Sequence, residues 1–160
     1  MTAPSSLPVR TRRAAPNDLE ALTALEQAGF QGDRMSRRSL RRLLRRPSAA
    51  TLVAVADGRI VGYAMLLFRH GSRSARLYSL VRLPDARGQG IGDALLREAE
   101  RTAVGLGATE MRLEVRPDND RARALYERHG FAAFARVADY YEDNSEALRM
   151  RKSLTGAVRT

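Results

Sequence analysis

The stretch Arg87-Gly88-Gln89-Gly90-Ile91-Gly92 constrains the fold of this 160-residue chain more than any other. An apolar and aromatic run, residues 76–82, precedes it and has the composition of a strand; Pro84-Asp85 then make a turn. After it, residues 93–106 carry an amphipathic pattern that predicts a helix running to Gly105-x-Gly107. A strand, a glycine turn and a helix N-terminus together can hold phosphate. Glycines let the backbone approach the ligand, and the first free N–H groups of the helix point outward at the positive end of its dipole. Arg87 adds a permanent charge whose planar geometry suits phosphate oxygens. Taken alone, such a turn reads equally well as a tight connection packing a helix onto a sheet. Two phosphate-binding types are excluded by spacing. No Gly-Lys-Ser/Thr follows, and Gly88-x-Gly90 leads to Asp93 while Gly90-x-Gly92 leads to Leu95, which breaks the dinucleotide fingerprint.

The rest of the chain alternates strands and helices. Residues 9–13 predict a short strand. Pro16-Asn17-Asp18 open a helix with Leu19, Leu22 and Leu25 on its apolar face, joined by Ala21 and Ala28, and residues 29–32 break it. Ser36 caps a second helix that stops at Pro47. Strands follow at 50–56 and 60–68 around the two-residue turn Asp57-Gly58, then at 74–83. Past the central helix come a strand at 110–116, a helix at 119–129 and strands at 131–140 and 147–153. This order implies an α/β sandwich, antiparallel early and parallel near the glycine turn, with a mixed sheet of six to seven strands flanked by about four helices. One domain over residues 1–154 is expected, with a loose tail at 155–160.

Composition removes several chemistries. The chain has no Cys, so it offers no disulfide, thiol nucleophile or cysteine metal site. His70 and His129 lack metal-ligand company, and His129, just before Gly130, reads as a cap or surface residue. No metal is expected. No apolar run reaches the ~18 residues that would span a membrane, and the N-terminus lacks a signal pattern, so a cytoplasmic protein away from membranes is the expectation. The net charge of +10 is almost entirely arginine, with Lys152 the single lysine. Such a balance favours anionic ligands.

The pattern Arg-x-x-Gly-x-Gly at 87–92 resembles the acetyl-CoA pyrophosphate loop of the GCN5-related N-acetyltransferase (GNAT) family. A second segment strengthens the resemblance: Leu113-Glu114-Val115-Arg116, then Asn119-x-x-Ala122-x-x-Leu125-Tyr126-x-x-x-Gly130-Phe131. Within the family, the Glu114 to Tyr126 spacing and the later Tyr140-Tyr141 pair are most similar to ribosomal-protein N-terminal-alanine acetyltransferases. The match runs from about Leu77 to Tyr141; the first 75 residues fit in element order.

The resemblance implies acetyl-CoA as cosubstrate and direct acetyl transfer to a primary amine. It implies that Arg87, Gly88, Gln89, Gly90, Ile91, Gly92 and Asp93 hold the pyrophosphate. It also implies that backbone groups of Leu80, Val81 and Arg82 pair with the pantetheine arm as an added strand would. Arg82 departs from the apolar β-branched residue the family prefers there. Asn119 reads as a helix cap, and the resemblance adds a pantetheine contact. Glu114 sits between Leu113 and Val115 on the opposite strand face, and by itself reads as a solvated or salt-bridged residue. The resemblance makes it the general base, acting through water. Tyr126 by itself reads as a core residue with a wet hydroxyl; the resemblance makes it the general acid for the leaving thiolate.

The acceptor classes, in order, are a protein N-terminal α-amine, a small-molecule amine and a lysine side chain. An α-amine, with a pKa of ~8 against ~10.4 for lysine, is the easier one to deprotonate. A monomer or homodimer is expected. Two other classes compete: a nucleic-acid or ribosome-associated binding module with a vestigial CoA site, and an acyl-CoA sensor without turnover. Residues 34–46 carry seven arginines around a stripe of Leu40, Leu43 and Leu44. A solvated face is the expected reading, and binding of nucleic acid or of an acidic acceptor is the sharper one. The aromatic-Pro-Trp-Ser pattern of the ribosomal-protein type is replaced here by residues 29–36. Tyr140, Tyr141, Glu142 and Asp143 are either an exposed strand end or an acceptor-site rim.

Overall fold

The computed structural model describes residues 8–29, 34–84 and 90–154. Arg87, Gly88 and Gln89 therefore lie outside the described residues, as does the tail at 155–160. The chain runs β1(Arg10–Arg13), a 3-10 turn (Pro16–Asp18), α1(Leu19–Gly29), α2(Arg37–Arg45), β2(Ala49–Ala56), β3(Arg59–Phe68), β4(Ser74–Arg82), α3(Ile91–Gly105), β5(Glu110–Val115), α4(Asp120–Arg128), β6(Ala132–Val137) and β7(Ala147–Ser153). This is the expected order. The strands form one sheet in the order β1-β2-β3-β4-β5-β7-β6. Among these pairs, β4–β5 alone is parallel.

Strand alternation sorts the core into two layers. Leu52, Ala54, Ala64 and Leu66 face α3, whose Ile91, Leu95, Leu96, Ala99 and Ala103 are buried against them. Val53, Tyr63 and Met65 point the other way and meet Leu22 and Leu25 of α1 and Leu40 and Leu43 of α2. Both faces of β2 and β3 are covered, which is why these strands read as nearly continuous apolar runs. Asp57 and Gly58 both take positive φ, 55° and 71°, as the two-residue hairpin requires.

Three boundaries differ from expectation. The first helix opens as a 3-10 turn, where Asp18 accepts from the Ala15 backbone N–H at 2.7 Å. The central helix begins two residues early, at Ile91, because Gly90 takes the left-handed conformation (φ 70°, ψ 23°) and ends the preceding turn. The strand expected over 131–140 stops at Val137, because Asp139 takes φ 54° and turns the chain away.

Candidate functional site

The site exists because two parallel strands part. β4 and β5 pair only from Ser74↔Glu110 to Leu77↔Leu113. Beyond that, β4 continues against β3 as far as Arg82, and β5 continues against β7 as far as Val115. Residues 78–82 of β4 thus keep one ladder edge that no strand of the sheet uses. Such an edge is a template for an extended ligand.

A cleft of about 740 Å³ lies along that edge, lined by Leu80, Val81, Arg82, Gly90, Ile91, Gly92, Asp93 and Asn119, with Arg121, Tyr126 and Arg128. Those first eight are the cofactor-site residues expected from sequence that fall within the described residues. The α3 N-terminus opens into it. Its first intrahelical bond is Ala94 N–H to Gly90 C=O at 2.9 Å, so the N–H groups ahead of Ala94 have no partner inside the helix. A side chain at Gly92 would come within 3.1 Å of Leu125 Cδ2, so glycine there lets α3 and α4 approach.

Asp93 turns toward α4 rather than into open cleft. It accepts from Arg128 at 3.0 Å and lies 2.7 Å from His129 Nε2. Burial works to raise its carboxyl, but the hydrogen bonds from His129 and Arg128 outweigh this and hold it below the ordinary carboxylate value. His129 is the C-cap of α4, as read from sequence, and also this clamp's second donor group. Asn119 caps α4 by accepting from Ala122 N–H at 3.1 Å.

A second cavity of about 890 Å³ opens on the other side of the splay. Its walls include Glu26, Met35, Ser36, Tyr78, Ser79, Glu114, Tyr140, Tyr141 and Glu142. The two cavities share Gly29, Leu80, Asn119, Ala122 and Tyr126, which stand where they meet. The Tyr126 ring packs edge-on against Phe131, centroids 5.8 Å apart. Burial, with a smaller contribution from Tyr141, pushes its phenol well above the ordinary value. Its hydroxyl makes no hydrogen bond among the described residues.

Glu114 lies on the opposite face from Leu113 and Val115, as alternation requires, and lines the second cavity. Both its oxygens are engaged. Arg76 Nε donates to Oε1 at 3.0 Å, and Arg149 Nε donates to Oε2 at 3.0 Å from the facing position on β7. The Tyr140 hydroxyl is 3.4 Å from Oε1. The Tyr140 phenol is raised by burial first and then by the charge on Glu114, against an opposing effect of Arg76. Tyr141 stacks under Arg116, whose guanidinium carbon is 4.1 Å from the ring centroid. Asp143 is taken up by Arg116 and Ser145 and does not line the cavity, whereas Glu142 does.

Sequence reasoning missed Glu26. It is 1% exposed at the end of α1, yet lines the second cavity. Its Oε1 accepts from Met35 N–H at 2.8 Å, and the Tyr63 hydroxyl donates to its Oε2. Tyr63 also lies 3.2 Å from Ser79 Oγ. Burial and the neighbouring Glu26 charge push the Tyr63 phenol far up. The missed signal was positional. With Leu19 and Leu22, Glu26 occupies the i, i+3, i+7 stripe that should be apolar. Among the described residues no cluster of three or more His, Cys, Asp or Glu could hold a metal, and no helix is long and apolar enough to cross a membrane.

The profile of the acetyltransferase (GNAT) family matches residues 18–131. A mycothiol acetyltransferase of Jonesia denitrificans is 41% identical over 90 residues, which is 56% of this chain but 29% of that protein. The chain thus spans less than a third of that relative. An uncharacterized N-acetyltransferase of Methanocaldococcus jannaschii is 31% identical over 147 residues, covering 91% of this chain and 92% of its own. Among solved structures, the ribosomal-protein-S18-alanine N-acetyltransferase from Escherichia coli superposes with a TM-score of 0.82 at 23% identity, covering 96% of this chain and 99% of its own. The PaiA N-acetyltransferase from Thermoplasma acidophilum, solved in complex with coenzyme A, gives a TM-score of 0.76 at 24% identity and covers 92% of this chain and 99% of its own. At these identities the two structures speak to the fold.

Proposed function

The chain belongs to the acetyltransferase (GNAT) family, and on that premise we propose that it moves the acetyl group of acetyl-CoA directly onto a primary amine, with a protein N-terminal α-amine as the first acceptor class. The observation that carries this reading is the meeting of two cavities at Tyr126 across the β4–β5 splay. One cavity offers a strand edge and a helix N-terminus, which suit a pantetheine arm and its pyrophosphate. The other carries Glu26, Glu114, Glu142 and tyrosines in its walls beside Arg34 and Arg116, and its carboxylates suit a cationic amine. The solved relative that holds coenzyme A and the relatives named as N-acetyltransferases support the same assignment.

The chemistry divides among this chain's residues. The amine nitrogen bonds to the thioester carbonyl carbon, the C–S bond breaks, the amine loses a proton and the sulfur gains one. Tyr126 donates the last proton: its raised pKa keeps it protonated, and among the described residues its hydroxyl has no partner to give up. Glu114 takes the amine proton through water. Arg76 and Arg149 hold its carboxylate in place, so direct contact with the amine is not required of it. Arg82 contributes through its backbone on β4, which is why its side chain can depart from the family's preference.

The test is a panel of free-N-terminal peptides, small amines and lysine peptides with acetyl-CoA, reading thiol release. Release driven by α-amine peptides is expected. Release driven only by small amines would move the acceptor class, and none with any amine would remove the enzymatic reading. Glu114→Gln should lose most activity at low pH, where free amine is scarce, and recover as pH rises through the amine's own pKa. A loss that does not vary with pH would make Glu114 a positioning residue.

A further inference from the structure

We propose that the outer face of α2 is a docking surface for the phosphodiester backbone of double-stranded RNA. The leucine stripe of α2 is consumed by the core: Leu40 and Leu43 are buried against the sheet. Arg38, Arg41, Arg42 and Arg45 lie on the opposite side, spaced i, i+3, i+4 and i+7, and all four are exposed. Among the described residues none of the four has an acid or any other polar partner. A single hollow of about 430 Å³ is lined by these four arginines alone. Glu20, which borders an adjoining hollow with Arg41 and Arg45, is already held by Arg37 at 2.5 Å.

This arrangement works against the helix itself. Arg38/Arg42 and Arg41/Arg45 are like-charge pairs one turn apart, which destabilise a helix. The first turn carries no acid, and Arg37 and Arg38 stand at the positive end of the dipole. A chain with one lysine explains why these cations are arginine. It does not explain why four of them share one face with, among the described residues, no acid paired to any. A polyanion offsets that repulsion.

The same features choose among polyanions. An acidic peptide gains most of its affinity from apolar side chains seated in pockets, and the hollow offers only guanidinium groups. A phosphate backbone asks for charge and planar donors and nothing else. The stripe is two columns wide and about 10 Å long at 1.5 Å per residue. That footprint suits phosphates drawn together across the narrow major groove of A-form RNA better than the roughly 12 Å groove of B-form DNA. The four arginines do not line the acceptor cavity, so docking here is compatible with turnover.

The experiment measures anisotropy of a labelled RNA hairpin with a helical stem, at about 0.15 M salt and over a salt series. A DNA duplex of the same sequence and a poly-glutamate peptide serve as competitors. The variant R38Q/R41Q/R42Q/R45Q is compared with R10Q/R59Q/R69Q/R73Q, which removes the same number of charges from exposed positions elsewhere. The stripe variant should bind at least tenfold more weakly, and its log affinity against log salt should flatten by about 3.6, as expected for four lost phosphate contacts on a duplex. The control variant should change by about twofold, through long-range field alone. Unchanged helicity and unchanged thiol release with a small neutral peptide would show that the stripe variant is folded. Absent binding by the unmodified protein, equal losses in the two variants, or competition by DNA or poly-glutamate as strong as by RNA would each overturn the proposal. Binding is read without turnover, so failure of the acetyl-transfer reading would not be mistaken for failure of this one.

Discussion

The two cavities that meet at Tyr126 are built in opposite ways. The proposed cofactor cleft draws on two local stretches, β4 through the start of α3 and α4 with its cap, and the first of these offers backbone: a free strand edge, a left-handed glycine and the first turn of a helix. The proposed acceptor cavity draws on side chains from α1, the start of α2, β4, β5, α4 and the segment after β6. Backbone recognition survives side-chain drift, and the role proposed for Arg82 relies on this. A cavity assembled from distant side chains changes with each of them. Constancy of the cosubstrate and variability of the acceptor are therefore what this architecture favours.

Tyr126 belongs to both regions, so its loss should have the largest effect. Tyr126→Phe keeps the ring and its edge contact with Phe131 but removes the proton donor. Turnover should fall ~10²-fold or more, with CoA affinity by calorimetry unchanged. Near-normal turnover would leave Tyr126 as packing and would remove the point at which the two cavities are joined. Gly90→Asp probes the cleft alone. It forces φ 70° on a residue with a side chain and puts negative charge beside the proposed pyrophosphate position. CoA affinity should drop at least tenfold. An unchanged affinity in a folded variant would break the backbone half of the comparison.

The same contrast explains what the sequence disclosed. Three features carry a local signal: glycine spacing for the α3 start and Asn119 for the α4 cap beside the cleft, and alternation for the face of Glu114 in the second cavity. All three have the local geometry their signals imply. Glu26 was missed because its partners are Met35 and Tyr63, brought to it from two other parts of the chain, with Ser79 behind Tyr63 from a third. Arg76 and Arg149 bracketing Glu114 were equally invisible, since sheet order β4-β5-β7 must be known before they become neighbours. The early end of β6 follows from a positive φ at Asp139, which is not glycine and so gave no warning.

Glu26→Gln should sharpen the acceptor side. The substitution preserves shape but removes the charge, and the Tyr63 hydroxyl must reorient to keep a bond. Losing one good charge-assisted hydrogen bond at the wall should raise the acceptor KM by about five- to tenfold. CoA affinity should not move. A matching loss of CoA affinity would mean the two cavities are one mechanical unit rather than two.

The smallest effect is expected at the Asp93 clamp, which ties the cleft's helix start to the end of α4. Asp93→Asn keeps the side-chain shape and weakens the contacts to Arg128 and His129. Arg128 is more than half exposed, so solvent screens its share and the loss should be at most about 1 kcal/mol. For a domain of this size that is a Tm drop of about 2–4 °C near neutral pH. The pH dependence has a definite sign. The folded carboxyl is held below its ordinary value of 3.8, so the unfolded chain takes up the proton first as pH falls. The stability contributed by Asp93 is therefore complete above that ordinary value and fades as pH drops through the lower folded one. The Tm difference between the two proteins should narrow as pH falls through the carboxylate range. Acceptor KM should stay the same, because the clamp supports the backbone cleft and touches no wall of the acceptor cavity. A Tm gap that widens in acid would reverse the sign assigned to Asp93, and a shifted acceptor KM would place the clamp in the wrong half of the site.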